Sequence, residues 1–139
     1  MAARRKGREF AVQMLYQWDI SRQPIDRVSE SFWQLTEGPE VTQRYTRRLV
    51  IGTLNNVEQI DTLISEHAEH WRLDRIATVD RNIMRLAIYE FLYEDTPKKV
   101  VINEALEVTK KFSTPNAVQF INGILDAVRL TLEATKEAK

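Results

Sequence analysis

The stretch Thr78-Val79-Asp80-Arg81-Asn82-Ile83-Met84-Arg85-Leu86-Ala87-Ile88-Tyr89-Glu90-Phe91-Leu92 decides the fold. Its apolar members, Val79, Ile83, Met84, Leu86, Ala87, Ile88, Phe91 and Leu92, cover more than one face of a helix. A helix apolar on several faces needs neighbours on several sides, so this segment is predicted to run through the centre of the molecule.

Helical periodicity continues on both sides of it. Upstream, Val57 to Glu69 gathers Ile60, Leu63 and Ile64 on one face, with Glu58, Asp61, Glu66 and Glu69 outside. Val41 to Leu54 aligns Tyr45, Leu49 and Gly52, and Gly38-Pro39 breaks the chain before it. A short helix after Asp26 carries Val28, Phe32 and Leu35. In the first helix Ala11, Met14, Leu15 and Trp18 fall at i, i+3, i+4 and i+7, with an end near Ser21 ahead of Pro24. Downstream, Thr96-Pro97 and Thr114-Pro115 each read as an N-cap followed by proline at the first helical position. The sixth helix then presents Val101, Ala105, Val108 and Phe112, and the last presents Ile121, Ile124, Leu125, Val128 and Leu132. A polar tail, about residues 133–139, is expected to fray. Gly123, inside the last helix, reads as permitting close helix approach, with Asn122 facing Asn103.

Composition agrees. The 139 residues include only four glycines and four prolines, about half of the roughly seventeen expected at average usage. Turns that sparse disfavour a sheet-rich fold. The expectation is an all-α chain, one compact domain over 1–139 with about seven helices. Absence of cysteine excludes a disulfide framework, a thiol nucleophile and a thiolate metal site. No apolar run approaches the about 20 residues that span a bilayer, and the basic N-terminus has no apolar stretch behind it. A cytoplasmic protein without membrane association is expected.

Catalytic patterns are missing. Gly7, Gly38, Gly52 and Gly123 are isolated, so neither a phosphate-cradling loop nor a dinucleotide fingerprint can form. No serine sits in a Gly-x-Ser-x-Gly turn. His67 and His70 could approach one metal at their i, i+3 spacing, but their order departs from His-Glu-x-x-His. We read them as a polar helix end, with no metal site and no cofactor. Glu104, flanked by Val101, Ile102 and Ala105, reads as a structural carboxylate near a helix N-terminus rather than a general base.

The positive signal is the run Arg4-Arg5-Lys6-Gly7-Arg8. On a helix, Arg4 and Arg8 are i, i+4 neighbours and Arg5 and Arg8 are i, i+3, so three guanidiniums converge. Guanidiniums bind phosphate bidentately and stack on unpaired bases, which suits single-stranded RNA. Residues from about 1 to 8 are expected to form a flexible arm that orders on binding.

The ordered motifs Ala3-Arg4-Arg5, Arg8-Glu9-x-Ala11-Val12-Gln13-x-Leu15-Tyr16, Arg85-Leu86-Ala87-Ile88-Tyr89-Glu90, Val101-Ile102-Asn103-Glu104-Ala105 with Lys110 and Phe112, and Phe120-Ile121-Asn122-Gly123-Ile124-Leu125-Asp126 span positions 3 to 126. In that order they resemble the transcription antitermination factor NusB family. The resemblance implies two packed helical subdomains and no catalysis. It implies binding of boxA-type RNA through the N-terminal arginines, a heterodimer with the small-subunit ribosomal protein acting as NusE, and loading onto RNA polymerase transcribing ribosomal RNA. Carried onto this chain, Arg4, Arg5 and Arg8 would contact RNA with Lys6 assisting. Asn116, Gln119 and Phe120 would form a secondary RNA surface, and Tyr16 and Asp80 would belong to the partner face. The segment His67 to Thr78 matches the family poorly, so the resemblance assigns no RNA contacts there.

Two other readings compete: a non-catalytic helical adaptor, and a NusB-like domain associated with RNA modification. The latter leaves no room within 139 residues for a methyl-donor-binding domain. Exposed apolar residues on the first and last helices could also serve a homodimer.

Overall fold

The computed structural model describes residues 2–138, and side chains from residue 3 to residue 136. These residues form seven α-helices and no strand: α1 (Ala2–Ser21), α2 (Ile25–Leu35), α3 (Glu40–Asn55), α4 (Val57–His67), α5 (Thr78–Tyr93), α6 (Lys98–Phe112) and α7 (Pro115–Ala138). One 3-10 turn, Leu73–Arg75, lies between α4 and α5.

As its apolar coverage requires, α5 is the central rod. It packs against α1, α3, α4, α6 and α7, and every residue from Asn82 to Phe91 is buried. Helices α1, α2 and α3 form one cluster on it, and α4, α6 and α7 form the other. These are the two packed subdomains expected. Phe10 of α1 meets Phe32 and Trp33 of α2 edge-on, with all three ring centroids 5.0 to 5.5 Å apart, a geometry that suits the ring quadrupoles.

Buried charge, rather than apolar contact alone, sets the register of α1 on α5. Near the start of α1, Arg8 makes two hydrogen bonds to the Glu90 carboxylate at 3.0 and 2.8 Å. Eleven residues later, Asp19 Oδ2 accepts from Arg81, Asn82 and Arg85 at 2.9 to 3.0 Å. The early end of α1 therefore meets the late end of α5, and the helices run antiparallel. Arg85 also donates twice to Asp61 of α4, at 2.7 and 2.9 Å. Among the described residues no buried side-chain nitrogen or oxygen lacks a partner, as a low-dielectric interior demands.

This charge pairing has an acid signature. Burial raises Asp19, but hydrogen bonds from Arg81 and Asn82 and the Arg85 charge overcome it and hold the carboxyl below its ordinary 3.8. Glu94 is likewise raised by burial and lowered further by Arg48 and Tyr89, ending below 4.5. The Arg5 hydrogen bond lowers Glu104. A carboxyl depressed on folding stabilises the native state above its unfolded pKa and loses that contribution as pH falls through the folded value. Thermal unfolding should therefore lose midpoint temperature only as pH drops below 4.5, the ordinary glutamate value. Asp19→Asn should make that acid limb shallower.

Several expectations need correction. The arm, expected flexible from about 1 to 8, is the first two turns of α1. Gly7 lets α1 lie against α3, since a Cβ there would stand 2.5 Å from Tyr45 Cδ2. The tail also stays helical, with α7 continuing through Ala138 and Arg129 linking Asp126 to Glu133. Met1 and Lys139, the outer ends of those two segments, lie outside the described residues. Of the two Thr-Pro caps, Thr114 acts as expected: its Oγ1 accepts the Ala117 N–H at 3.2 Å. Thr96 does not cap α6. Pro97, extended at ψ 138°, is itself the N-cap residue, and its carbonyl accepts from Val100 and Val101. Gly123 is not a close-approach glycine, because nothing lies within 4 Å of a Cβ placed there. Asn122 and Asn103 are both exposed, and neither is hydrogen-bonded to the other. The close approach is at Gly52, where a Cβ would fall 2.3 to 2.6 Å from two ring carbons and the hydroxyl oxygen of Tyr89.

Candidate nucleic-acid interface

The first turns of α1 and one face of α6, from Val100 to Lys111, enclose an open groove of about 780 Å³. Arg4, Arg5, Lys6, Arg8 and Lys111 supply five cations to its lining, against the carboxylates of Glu9 and Glu104. A chain of zero net charge thus concentrates positive charge at one end. Helical spacing brings the α1 cations together, and α6 adds Lys111, which reaches Glu9 from 102 residues away.

The cations are not equivalent. Arg5 remains half exposed (52%) and donates to both Glu104 oxygens at 3.1 and 2.8 Å. The hydrogen bonds that Arg5 donates to Glu104, and the field of that carboxylate, raise the Arg5 pKa further. Lys6, also half exposed, lies 3.5 Å from Glu9, which Lys111 approaches to 2.7 Å. Arg4 is exposed, with its guanidinium 5.9 Å from the Tyr45 ring centroid. Arg8 differs in kind. Its side chain is only 6% exposed; burial works against its charge, and Glu90 more than offsets that. With its fork turned inward onto Glu90, Arg8 lies beneath the groove as a strut, apart from the exposed cations with which it was grouped.

Glu104 is not held by a helix N-terminus. It lies in the second turn of α6 and is ligated by Arg5, with Arg8 3.7 Å away. A carboxylate gripped in this way occupies the fork that a phosphate would take. A phosphate reaching Arg5 must displace it.

A second cavity, about 350 Å³, opens where the 3-10 turn meets α7. Asn116 and Phe120 line it as part of the expected secondary surface, together with Trp71, Arg75 and Asp80. Gln119 is exposed on the same helix, outside that lining. Trp71, 53% exposed, stands edge-on to Phe120 with centroids 6.0 Å apart. Trp71 and Arg75 fall in the poorly matching segment, so the sequence reading did not assign them; a tryptophan four residues from an arginine in a polar stretch was the available signal. Lys111, in the last turn of α6, lines the first cavity, and Thr114, three residues on, lines the second.

The expected partner residues separate. Tyr16 is exposed on α1, one turn before exposed Ile20. Asp80 is buried and accepts from Ser113 Oγ at 2.5 Å, in the wall of the Trp71–Phe120 cavity. Of the two histidines, His67 has both ring nitrogens engaged within the protein. Leu63 O accepts the His67 Nδ1–H at 2.7 Å, leaving Nε2 to accept from the Thr131 hydroxyl at 2.8 Å. His67 therefore ties α4 to α7. Among the described residues no helix is long and apolar enough to cross a membrane.

Comparison with known proteins agrees with this arrangement. The model of the NusB family matches residues 5–129. The transcription antitermination protein NusB of Koribacter versatilis (strain Ellin345) is 47% identical over 138 residues, covering 98% of this chain and 94% of that protein. A solved structure of T. maritima NusB superposes with a TM-score of 0.82 at 35% identity, over 91% of this chain and 89% of that one. A chain from the crystal structure of antitermination factors NusB and NusE in complex with dsRNA gives 0.86 at 25% identity, over 94% and 98% of the two chains. With the family pattern running from the arginine groove through α7, and relatives this similar over nearly their whole length, the chain belongs to the NusB family of transcription antitermination proteins.

Proposed function

We propose that this protein is a non-catalytic, cytoplasmic RNA-binding subunit that takes boxA-type single-stranded RNA into the α1–α6 groove. It acts with a NusE-like small-subunit ribosomal protein on RNA polymerase transcribing ribosomal RNA operons. The observation that carries this reading is the convergence of Arg4, Arg5, Lys6 and Lys111 on one groove of an otherwise neutral chain. A related chain captured with NusE and dsRNA supports the classes of partner. Asn116, Phe120 and Trp71 offer a second stop for unstacked bases, and the exposed Tyr16–Ile20 edge offers an apolar surface for the protein partner.

Few phosphate contacts make binding modest and salt-sensitive. Three or four of them give a slope of log K against log salt of about −2 to −3 for a single strand. Arg5→Ala should weaken binding and reduce the magnitude of that slope by less than about one. Glu104→Gln should tighten binding, because the Arg5 fork is released. Unchanged affinity and slope in Arg5→Ala would contradict the assignment of the groove.

Fluorescence anisotropy of labelled boxA-type RNA, with a scrambled RNA as control, tests the whole reading with and without the NusE-like protein. Preference over the scramble and tightening by the partner are expected, since coupled binding events reinforce one another. Equal, salt-labile binding to both RNAs would leave only a basic groove. No binding under either condition would favour a helical adaptor.

A further inference from the structure

Arg4 lines two hollows, not one. Beyond the α1–α6 groove, on the other flank of α1, a hollow of about 510 Å³ is lined by Ala3, Arg4, Val41, Arg44, Tyr45 and Arg48. On the basis of the RNA-binding reading above, we infer that this α1–α3 face is a second site for the backbone of single-stranded RNA, holding nucleotides that flank the element bound in the α1–α6 groove.

The chemistry is that of a phosphodiester chain. Arg44, Arg47 and Arg48 are all exposed and lie within little more than one turn of α3, so their side chains fan over one patch. Two of the three have weak or no ties within the protein. Arg44 comes only within 3.8 Å of Glu40, and among the described residues Arg47 makes no ion pair or side-chain hydrogen bond. Arg48 is held by Glu94, yet its side chain remains 62% exposed. Guanidiniums without strong internal partners are available to phosphate oxygens at little competitive cost. This contrasts with Arg5, which must first release Glu104.

Between the arginines the wall is apolar and aromatic. Val41 is 58% exposed, and the Tyr45 ring carries the Arg4 guanidinium on its face. Such a surface accepts sugar and base without reading sequence. RNA is favoured over an acidic protein segment by continuity. Arg4 forms the crest shared by both hollows, so a strand leaving the first groove across α1 next meets Arg44 and Arg48, with Arg47 exposed beside them on α3.

The test compares a boxA-type core RNA with the same core extended by about six unstructured nucleotides at either end, against wild type and Arg44→Ala/Arg47→Ala. Both substitutions are on exposed positions, and a thermal melt should be unchanged. The core is expected to bind both proteins equally. One of the two extensions should tighten binding to wild type and steepen the salt slope by about 1.4, so that the gain shrinks about sevenfold between about 50 and 200 mM salt. The double variant should lose both gains. Failure of either extension to tighten wild-type binding, or gains that survive the double substitution, would overturn the inference while leaving core binding intact. Competition by a poly-glutamate peptide with no gain from extended RNA would assign the face to a protein and overturn it too. Failure of wild type to bind the core would remove the functional reading itself.

Discussion

Arg8→Ala is expected to destabilise the protein by about 3–5 kcal/mol, the usual result of stripping one partner from a buried ion pair. The side chains of Arg8 and Glu90 are 6% and 2% exposed, so removing the guanidinium leaves a carboxylate with no access to water. Against a typical total of about 5–15 kcal/mol, that loss would leave many molecules unfolded at moderate temperature. The loss belongs to breaking the pair more than to the absence of attraction. Replacing both members, as Arg8→Met/Glu90→Leu, should therefore recover most of the stability. Urea unfolding checks this through the midpoint, with the slope unchanged in two-state variants. A loss below about 1 kcal/mol in Arg8→Ala would place Arg8 in solvent and return it to the RNA-facing set.

Gly52→Ala should be destabilising by about 2–3 kcal/mol, although alanine normally improves a helix interior by about 1 kcal/mol. The added methyl would stand 2.3 to 2.6 Å from Tyr89 Cε1, Cζ and the hydroxyl. That ring cannot easily retreat. It is buried, its hydroxyl donates to Glu94 at 2.7 Å, and burial with that bond pushes its pKa up to about 12. Tyr89→Leu in the Gly52→Ala background should restore part of the loss by removing all three opposed atoms. Gly123→Ala is the internal control. With nothing within 4 Å, it should raise stability by about 1 kcal/mol. Midpoints of thermal unfolding moving in opposite directions for the two substitutions would verify the placement of both glycines.

Glycine shows where sequence reading succeeds and fails. Periodicity located all seven helices, because each must bury a stripe and that stripe is written locally, as in Ala11, Met14, Leu15 and Trp18. Which glycine meets a neighbour depends on a residue tens of positions away: Gly52 opposes Tyr89, and no local pattern encodes that. The same limit hid the pairing of Arg5 with Glu104 and of Asp19 with Arg81 and Arg85. Arg8 was more legible than it seemed. It stands three residues before Ala11 and seven before Leu15, on the buried stripe itself, and only the charge of its neighbours suggested a solvent-facing cluster. The groove was legible on its α1 side alone; Lys111 and Glu104 complete it through tertiary packing.

On the proposed function, the α1 cations divide into RNA ligands above and a structural strut below. Arginine Nε–H resonances report on this directly, because each guanidinium senses its own acceptor. Titrating boxA-type RNA into labelled protein should shift Arg5 strongly, as phosphate replaces Glu104, and Arg4 as well. Arg8 should stay where it is, still bonded to Glu90. RNA that binds while Arg4 and Arg5 remain unmoved, or that shifts Arg8 instead, would contradict the account.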